Sequence, residues 1–199
     1  PTSVVETGSD ILFAWVARMI MMGLYVAGDI PFKHVYLHGL VLDEKGQKMS
    51  KSKGNVINPM ETIAEFGSDA LRLGLISNRS AAQAQAFSKA TVIAGRNFCN
   101  KLWNIARYIE DQVGESAPAP KPEPHRMADH WITGQLNTAT TDIDRLIADY
   151  RFAEAADTLY HVVWDDVADW YIEASKVETN VGMLSWVLDT VLRLAHPFA

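Results

Sequence analysis

The chain has 199 residues, with 18 Lys and Arg against 24 Asp and Glu, for a formal net charge of −6. At 48% apolar and 21% charged residues it has the composition of a globular protein, which excludes a disordered or collagen-like chain. Its single cysteine, Cys99, excludes a disulfide framework and any multi-cysteine zinc site, and suits a reducing cytosol. The length allows one full domain or two small ones. No apolar run reaches the roughly 20 residues that span a bilayer. Residues 11–26 come nearest, with Arg18 in their middle. The chain opens Pro-Thr-Ser without an initiator Met or a signal-peptide layout, so a cut inside a longer protein is expected.

Val4-Val5 is a short strand signal leading into Glu6-Thr7-Gly8-Ser9-Asp10, where Ser9 is placed to cap a helix and Asp10 to sit in its first turn. Ile11, Leu12, Trp15, Met19 and Met22 then recur at helical spacing, and Gly23 or Gly28 ends the run. Val35, Leu37 and Leu40-Val41-Leu42 mark β structure, followed by the turn sequence Asp43-Glu44-Lys45-Gly46. Beyond a lysine-rich loop, Asn58-Pro59-Met60-Glu61 combines a capping side chain, a proline at the first helical position and a following glutamate. That helix should stop near Gly67. Ser68-Asp69 should cap the next, with Leu71, Leu75 and Ile76 as its apolar positions.

Residues 83–113 read as one amphipathic helix with Phe87, Ile93, Phe98, Leu102, Ile105 and Ile109 as its stripe, and Trp103 is assigned to the core. The connector 114–125 holds four prolines in seven residues, Pro118 to Pro124, and should be a stiff exposed link. Helical pattern resumes over 130–147, 152–176 and 183–194, with Tyr150-Arg151 at the first junction. Charge divides at the same connector. Residues 1–113 carry 12 basic and 10 acidic side chains, and residues 114–199 carry 6 and 14. Strand, helix, strand and then helices only is an α/β pattern that turns into a helical bundle.

Chemistry concentrates in Lys48-Met49-Ser50-Lys51-Ser52-Lys53-Gly54-Asn55. Three ammonium groups separated by small hydroxyl residues suit a loop that closes on phosphate oxygens whose charge grows as a phosphoryl bond breaks. The plain alternative is a solvated basic loop. Asp165, Asp166, Asp169 and Glu173 read as a solvated helix face, and Cys99 as an inert small side chain. His34, His38, His125 and His130 have no zinc-type spacing to a Cys or carboxylate, so no metal site is expected.

The order Lys48-Met49-Ser50-Lys51-Ser52 resembles the KMSKS loop of class I aminoacyl-tRNA synthetases without substitution. Glu6 to Trp15 with Ala17-Arg18-Met19, then His38-Gly39-Leu40-Val41, then Gly95 to Asn104, are similar to the valyl branch of that class. The resemblance implies an α/β half of a Rossmann-like catalytic domain at 1–47, a lysine-loop and stem-contact region at 48–82, and a truncated helical anticodon-binding domain at 83–199. It implies a fragment following the editing insertion, inactive in isolation, of a monomeric cytoplasmic ligase. The whole enzyme would use ATP with Mg²⁺ as substrate, valine and tRNA(Val), with no cofactor of its own and no membrane.

By the same resemblance, Lys48 and Lys51 hold the ATP phosphates, with Met49, Ser50 and Ser52 beside them. Glu6, Gly8 and Asp10 face the adenylate, although Asp10 has a second reading as a helix cap. His38, Gly39 and Val41 lie near the adenine, with His38 also readable as a structural histidine. Ile11 and Trp15, one helical turn apart, wall the amino-acid pocket. Arg96, Asn97, Lys101 and Asn104 are tRNA-facing positions. Two further readings remain open at this stage: a non-catalytic module that holds tRNA or another partner, and a piece of an isoleucine enzyme.

Overall fold

The computed structural model describes residues 2–77, 83–114 and 122–199, so most of the proline-rich connector lies outside the described residues. The chain forms two compact units, Pro1–Ile57 with Arg79–Phe87, and Asn58–Asn78 with Ser88–Ala199.

In the first unit, strand β1 (Thr2–Gly8) pairs in parallel with β2 (Phe32–His38), from Thr2 opposite Phe32 to Gly8 opposite His38. Parallel neighbours need a crossover, here a tight turn at Ser9–Ile11, a wide π-type turn at Leu12–Val16 and helix α1 (Ala17–Ala27). Ser9 does not cap this segment. Gly8 occupies the cap position in extended conformation with no side-chain bond to the helix, because the chain leaves the strand directly into the turn. Gly28, at φ 71°, ends α1 in the left-handed region that glycine adopts without strain.

Against expectation, Ser9–Ala27 is long and apolar enough to cross a bilayer by length and composition. Both its ends, however, join strands that pair along their whole length, which makes it a crossover within one sheet. Two-residue strands β3 (Val41–Leu42) and β4 (Gln85–Ala86) form a second parallel pair. Pairing distant in sequence therefore claims the start of the expected helix 83–113 as strand.

In the second unit, α2 (Pro59–Phe66) begins as its sequence predicts: the Asn58 side chain accepts the Met60 N–H at 3.0 Å and donates to Glu61 at 2.9 Å. Helix α3 (Ser68–Ile76) is capped by Gly67 rather than by Ser68. It packs on α4 (Lys89–Val113) at glycine-limited distance. A Cβ on Gly95 would lie 2.8 Å from the Ala70 carbonyl oxygen, and one on Gly74 would lie 3.0 Å from Val92. Val92, Phe98, Ile105 and Ile109 are buried along α4.

Trp103 is not in the core. It is 67% exposed. Ile93, at 36%, is likewise outside the core, whereas Phe87 is buried but precedes the helix.

Helices α5 (Met127–Ala148), α6 (Phe152–His161), a π-helical stretch Val162–Tyr171, α7 (Ile172–Ser175) and α8 (Val181–Ala195) complete the bundle. Their apolar faces join α4 in one core that includes Leu136, Ile143, Leu159, Val163, Leu184 and Val187. The reversal between α5 and α6 turns on Tyr150, which holds φ 60°. Asp129 lies fully buried at the start of α5. It accepts hydrogen bonds from Arg126 at 2.9 Å, Tyr171 at 3.0 Å, Asn180 at 3.0 Å and the backbone of His125 at 3.2 Å. Burial opposes its charge, but the donors outweigh it, led by Arg126, and bring its pKa down to about 2.

Candidate active site

In open α/β sheets, ligands gather at the carboxyl ends of parallel strands. At that end of β1 and β2, Glu6 Oε1 lies 3.4 Å from His38 Nε2, and His38 Nδ1 lies 3.1 Å from the Gly39 carbonyl oxygen. Gly8 is buried tightly here: a Cβ would stand 2.7 Å from an Asp10 carboxylate oxygen. Gly39 approaches the backbone of Gln83 so closely that a Cβ would fall 1.6 Å from its carbonyl oxygen. Glycine at 39 is thus required by the neighbouring chain segment as well as by any ligand. Thr7 Oγ1 is buried and has no hydrogen-bond partner among the described residues.

The lysine loop reaches this strand end through Lys48, whose ammonium donates to Asp10 Oδ2 at 2.9 Å. That bond, ahead of every other influence, holds the Asp10 carboxyl below the usual carboxylate range. Two side chains give the loop its shape. Asp43 accepts the Lys45 and Gln47 N–H groups at 3.0 and 2.7 Å, closing the turn that bridges Leu42 to Lys48. Asn55 donates to Asp43 at 2.8 Å and accepts the Ser50 N–H at 2.9 Å. This bond from Asn55 is the leading reason that the Asp43 carboxyl is also held low.

Ser50 accepts the Lys53 N–H at 3.3 Å and lies 3.2 Å from the Ser52 hydroxyl, and Met49 Sδ accepts the Ile57 N–H at 3.5 Å. Gly54 turns the chain at φ 66°. Lys51 and Lys53 are exposed and make no ion pair among the described residues. The loop therefore presents ammonium groups outward on a backbone fixed by Asp43 and Asn55. The sequence reading gave Asp43 a turn and Asn55 no role. An Asx side chain at each end of a lysine-rich turn was the available signal.

Ile11 is half-buried and Trp15 is 52% exposed in the turns after β1, while Val41 is half-buried in β3. In the other unit, Asn97 and Asn104 are exposed on α4, and the Arg96 guanidinium lies over Phe66, 5.7 Å from the ring centroid. Lys101 is occupied within its own unit, 2.9 Å from Asp169 and 4.8 Å above the Trp164 ring centroid. The acidic positions also have partners: Asp165 lies 2.7 Å from His161, Asp166 accepts from Gln135 at 3.1 Å and Glu173 from Lys176 at 2.6 Å. Among the described residues, no three His, Cys, Asp or Glu side chains converge on one point.

Residues 1–88 match the family described as tRNA synthetases class I (I, L, M and V), and residues 129–199 match the anticodon-binding domain of tRNA ligase. The backbone superposes on the LeuRS of Agrobacterium radiobacter K84, solved in a ternary complex with tRNA and LeuAMS, with a TM-score of 0.82 at 23% identity. The superposition covers 99% of this chain and 26% of that one. Methionyl-tRNA synthetase of Mycobacterium tuberculosis, bound by methionyl-adenylate, gives 0.76 at 19% identity, over 100% of this chain and 42% of that one. Residues 1–88 are thus a class I aminoacyl-tRNA synthetase segment.

Within the class, its sequence follows the valine–tRNA ligases. It is 44% identical to that of Mycobacterium tuberculosis over 99% of this chain, and 42% identical to that of Dehalococcoides mccartyi over all of it. The chain spans about a quarter of the length of these relatives, 24% and 23% respectively.

Proposed function

We propose that this chain supplies the pyrophosphate-handling part of a cytoplasmic valine–tRNA ligase, together with part of its tRNA-binding bundle. The valine carboxylate attacks the α-phosphorus of ATP, the bond to the β-phosphate oxygen breaks, and pyrophosphate leaves. Lys48 and Lys51 meet the charge that grows on the departing oxygens, with Ser50, Ser52 and Met49 holding the loop. Mg²⁺ arrives with ATP as substrate. Glu6, Gly8 and Asp10 face the adenylate, His38, Gly39 and Val41 flank the adenine, and Ile11 and Trp15 wall the valine side chain. Valine then passes to the terminal adenosine of tRNA(Val) and AMP is released. Arg96, Asn97 and Asn104 face the RNA, and Lys101 steadies the helix that carries them.

The observation that carries this reading is the 2.9 Å contact of Lys48 with Asp10, which seats the lysine loop at the carboxyl end of β1. The test is valine-dependent ATP–pyrophosphate exchange by a ligase containing this segment. Lys51→Ala should lower the rate by about 100-fold or more, with little change in valine binding. Unchanged exchange would sink the assignment. The 199-residue chain by itself is expected to show no exchange.

A further inference from the structure

We propose that the second unit holds a binding cavity for a small arylalkylammonium ion, an aromatic ring carrying a short protonated amine, between α3, α4 and α6. The cavity has a volume of about 220 Å³. Small residues leave the space: Ala94 and Gly95 come from α4, and Ala153 and Ala156 from α6. Close-packed interiors rarely leave a void larger than a water molecule, so an opening of this size is an exception. None of the residues assigned above to valine, ATP or RNA lines it, so the site does not rest on that reading.

Size and walls select an aromatic body. Leu73 and Phe98, both buried, give the cavity apolar surface. Tyr160 stacks on Phe98 with ring centroids 5.6 Å apart and on Trp164 at 5.4 Å, so the aromatic wall is formed before any ligand arrives. Asp157 and Tyr160, which also line the cavity, are exposed and give it a mouth. At about 220 Å³ it is larger than the roughly 150 Å³ that admits benzene and smaller than the roughly 300 Å³ at which drug-sized pockets begin. One ring with a short tail fits that range.

Hydrogen-bonding capacity selects the charge. The Ser77 hydroxyl donates to the Leu73 carbonyl at 2.7 Å, and the Thr91 hydroxyl donates to the Ser88 carbonyl at 2.7 Å. Each hydroxyl has one proton, so both offer the cavity lone pairs only. The Asp157 carboxylate is likewise an acceptor. Its contact with His161 Nε2 is long, 3.8 Å, and His161 Nδ1 is 2.7 Å from Asp165. Apart from the Tyr160 phenol, the polar side chains lining the cavity therefore accept and do not donate. An ammonium, with three donors and no acceptor, is their complement. A carboxylate or phosphate would meet oxygens of its own sign, which disfavours nucleotides and α-amino acids. A neutral alcohol brings one donor but no charge for Asp157.

The test is calorimetric titration of the 199-residue chain at neutral pH with 2-phenylethylamine, against 2-phenylethanol and phenylacetate. The amine should bind with a Kd on the order of 1 mM, as its size allows. The alcohol should bind at least about 5-fold more weakly, and phenylacetate should not bind. Asp157→Asn should weaken the amine about 3- to 10-fold and leave the alcohol unchanged. Ala153→Phe and Ala94→Phe, from two walls, should each weaken both ligands by at least about 10-fold. Asp157 is exposed, so its variant keeps the test decisive if a wall variant fails to fold. No binding of the amine, or equal affinity for amine and alcohol, overturns the inference. So does amine binding that both wall variants leave unchanged, which would put the amine on the exposed apolar face of α1, or competition by valine, which would put it in the amino-acid pocket. None of these outcomes touches the catalytic assignment, which stands or falls on the Lys51→Ala exchange assay.

Discussion

Asp129 shows how a single buried charge can be favourable. Its carboxylate would be costly away from water, yet Arg126, Tyr171, Asn180 and backbone N–H groups surround it. With its pKa down at about 2 in the fold, Asp129 binds its proton more weakly folded than unfolded. Its contribution is therefore complete above about pH 4 and disappears as pH falls towards 2, amounting to about 2 kcal/mol. Urea unfolding at pH 7 and pH 3 checks this, because Asp129→Ala should remove most of that local acid sensitivity. At pH 7 the same substitution should destabilise by about 3–5 kcal/mol, since it takes the carboxylate partner from Arg126 and leaves the buried Tyr171 hydroxyl without its acceptor. Thr7 is the opposite case. Its buried hydroxyl has no partner among the described residues, so Thr7→Val should leave the urea midpoint unchanged or raise it.

At the scale of elements, α3 and α4 approach as closely as they do because Gly74 and Gly95 each face the other helix. Gly95→Ala forces a methyl to within 2.8 Å of the Ala70 carbonyl oxygen and should cost about 1–3 kcal/mol, read from thermal or urea unfolding. Asn55 plays the comparable part in the lysine loop. Asn55→Ala frees Asp43 and the Ser50 backbone together, and should lower kcat for exchange more than it changes the KM for valine.

Legibility in the sequence followed the range of the forces. The start of α2 was readable because Asn58, Pro59 and Glu61 interact within one turn. The lysine loop was readable because its chemistry is contiguous. Strand β4 was not, since two residues become a strand only by pairing with β3 about forty positions earlier. Trp103 misled because hydrophobicity alone assigns an indole to a core, while helical phase turns it outward. Tyr171 and Asn180, which donate to the buried Asp129, lie 42 and 51 residues away in sequence, and no local pattern announces them.

Taken whole, the molecule distributes its core unequally. Among the described residues of the first unit only Val16, Phe32 and Phe87 are buried apolar side chains, whereas the second unit packs helices α3 to α8 and the π-helical stretch around one continuous interior. Amide exchange should therefore be fast in β1, β2 and α1 and slow in α5 and α8. The crossover after β1 sharpens the contrast: Phe13, Met21, Tyr25 and Val26 are each at least 68% exposed. Alone in buffer, such a surface behaves like a patch of oil. The chain should light up a solvatochromic dye such as ANS while fully native, stick to air–water interfaces, and stay dispersed longer in mild detergent than without it.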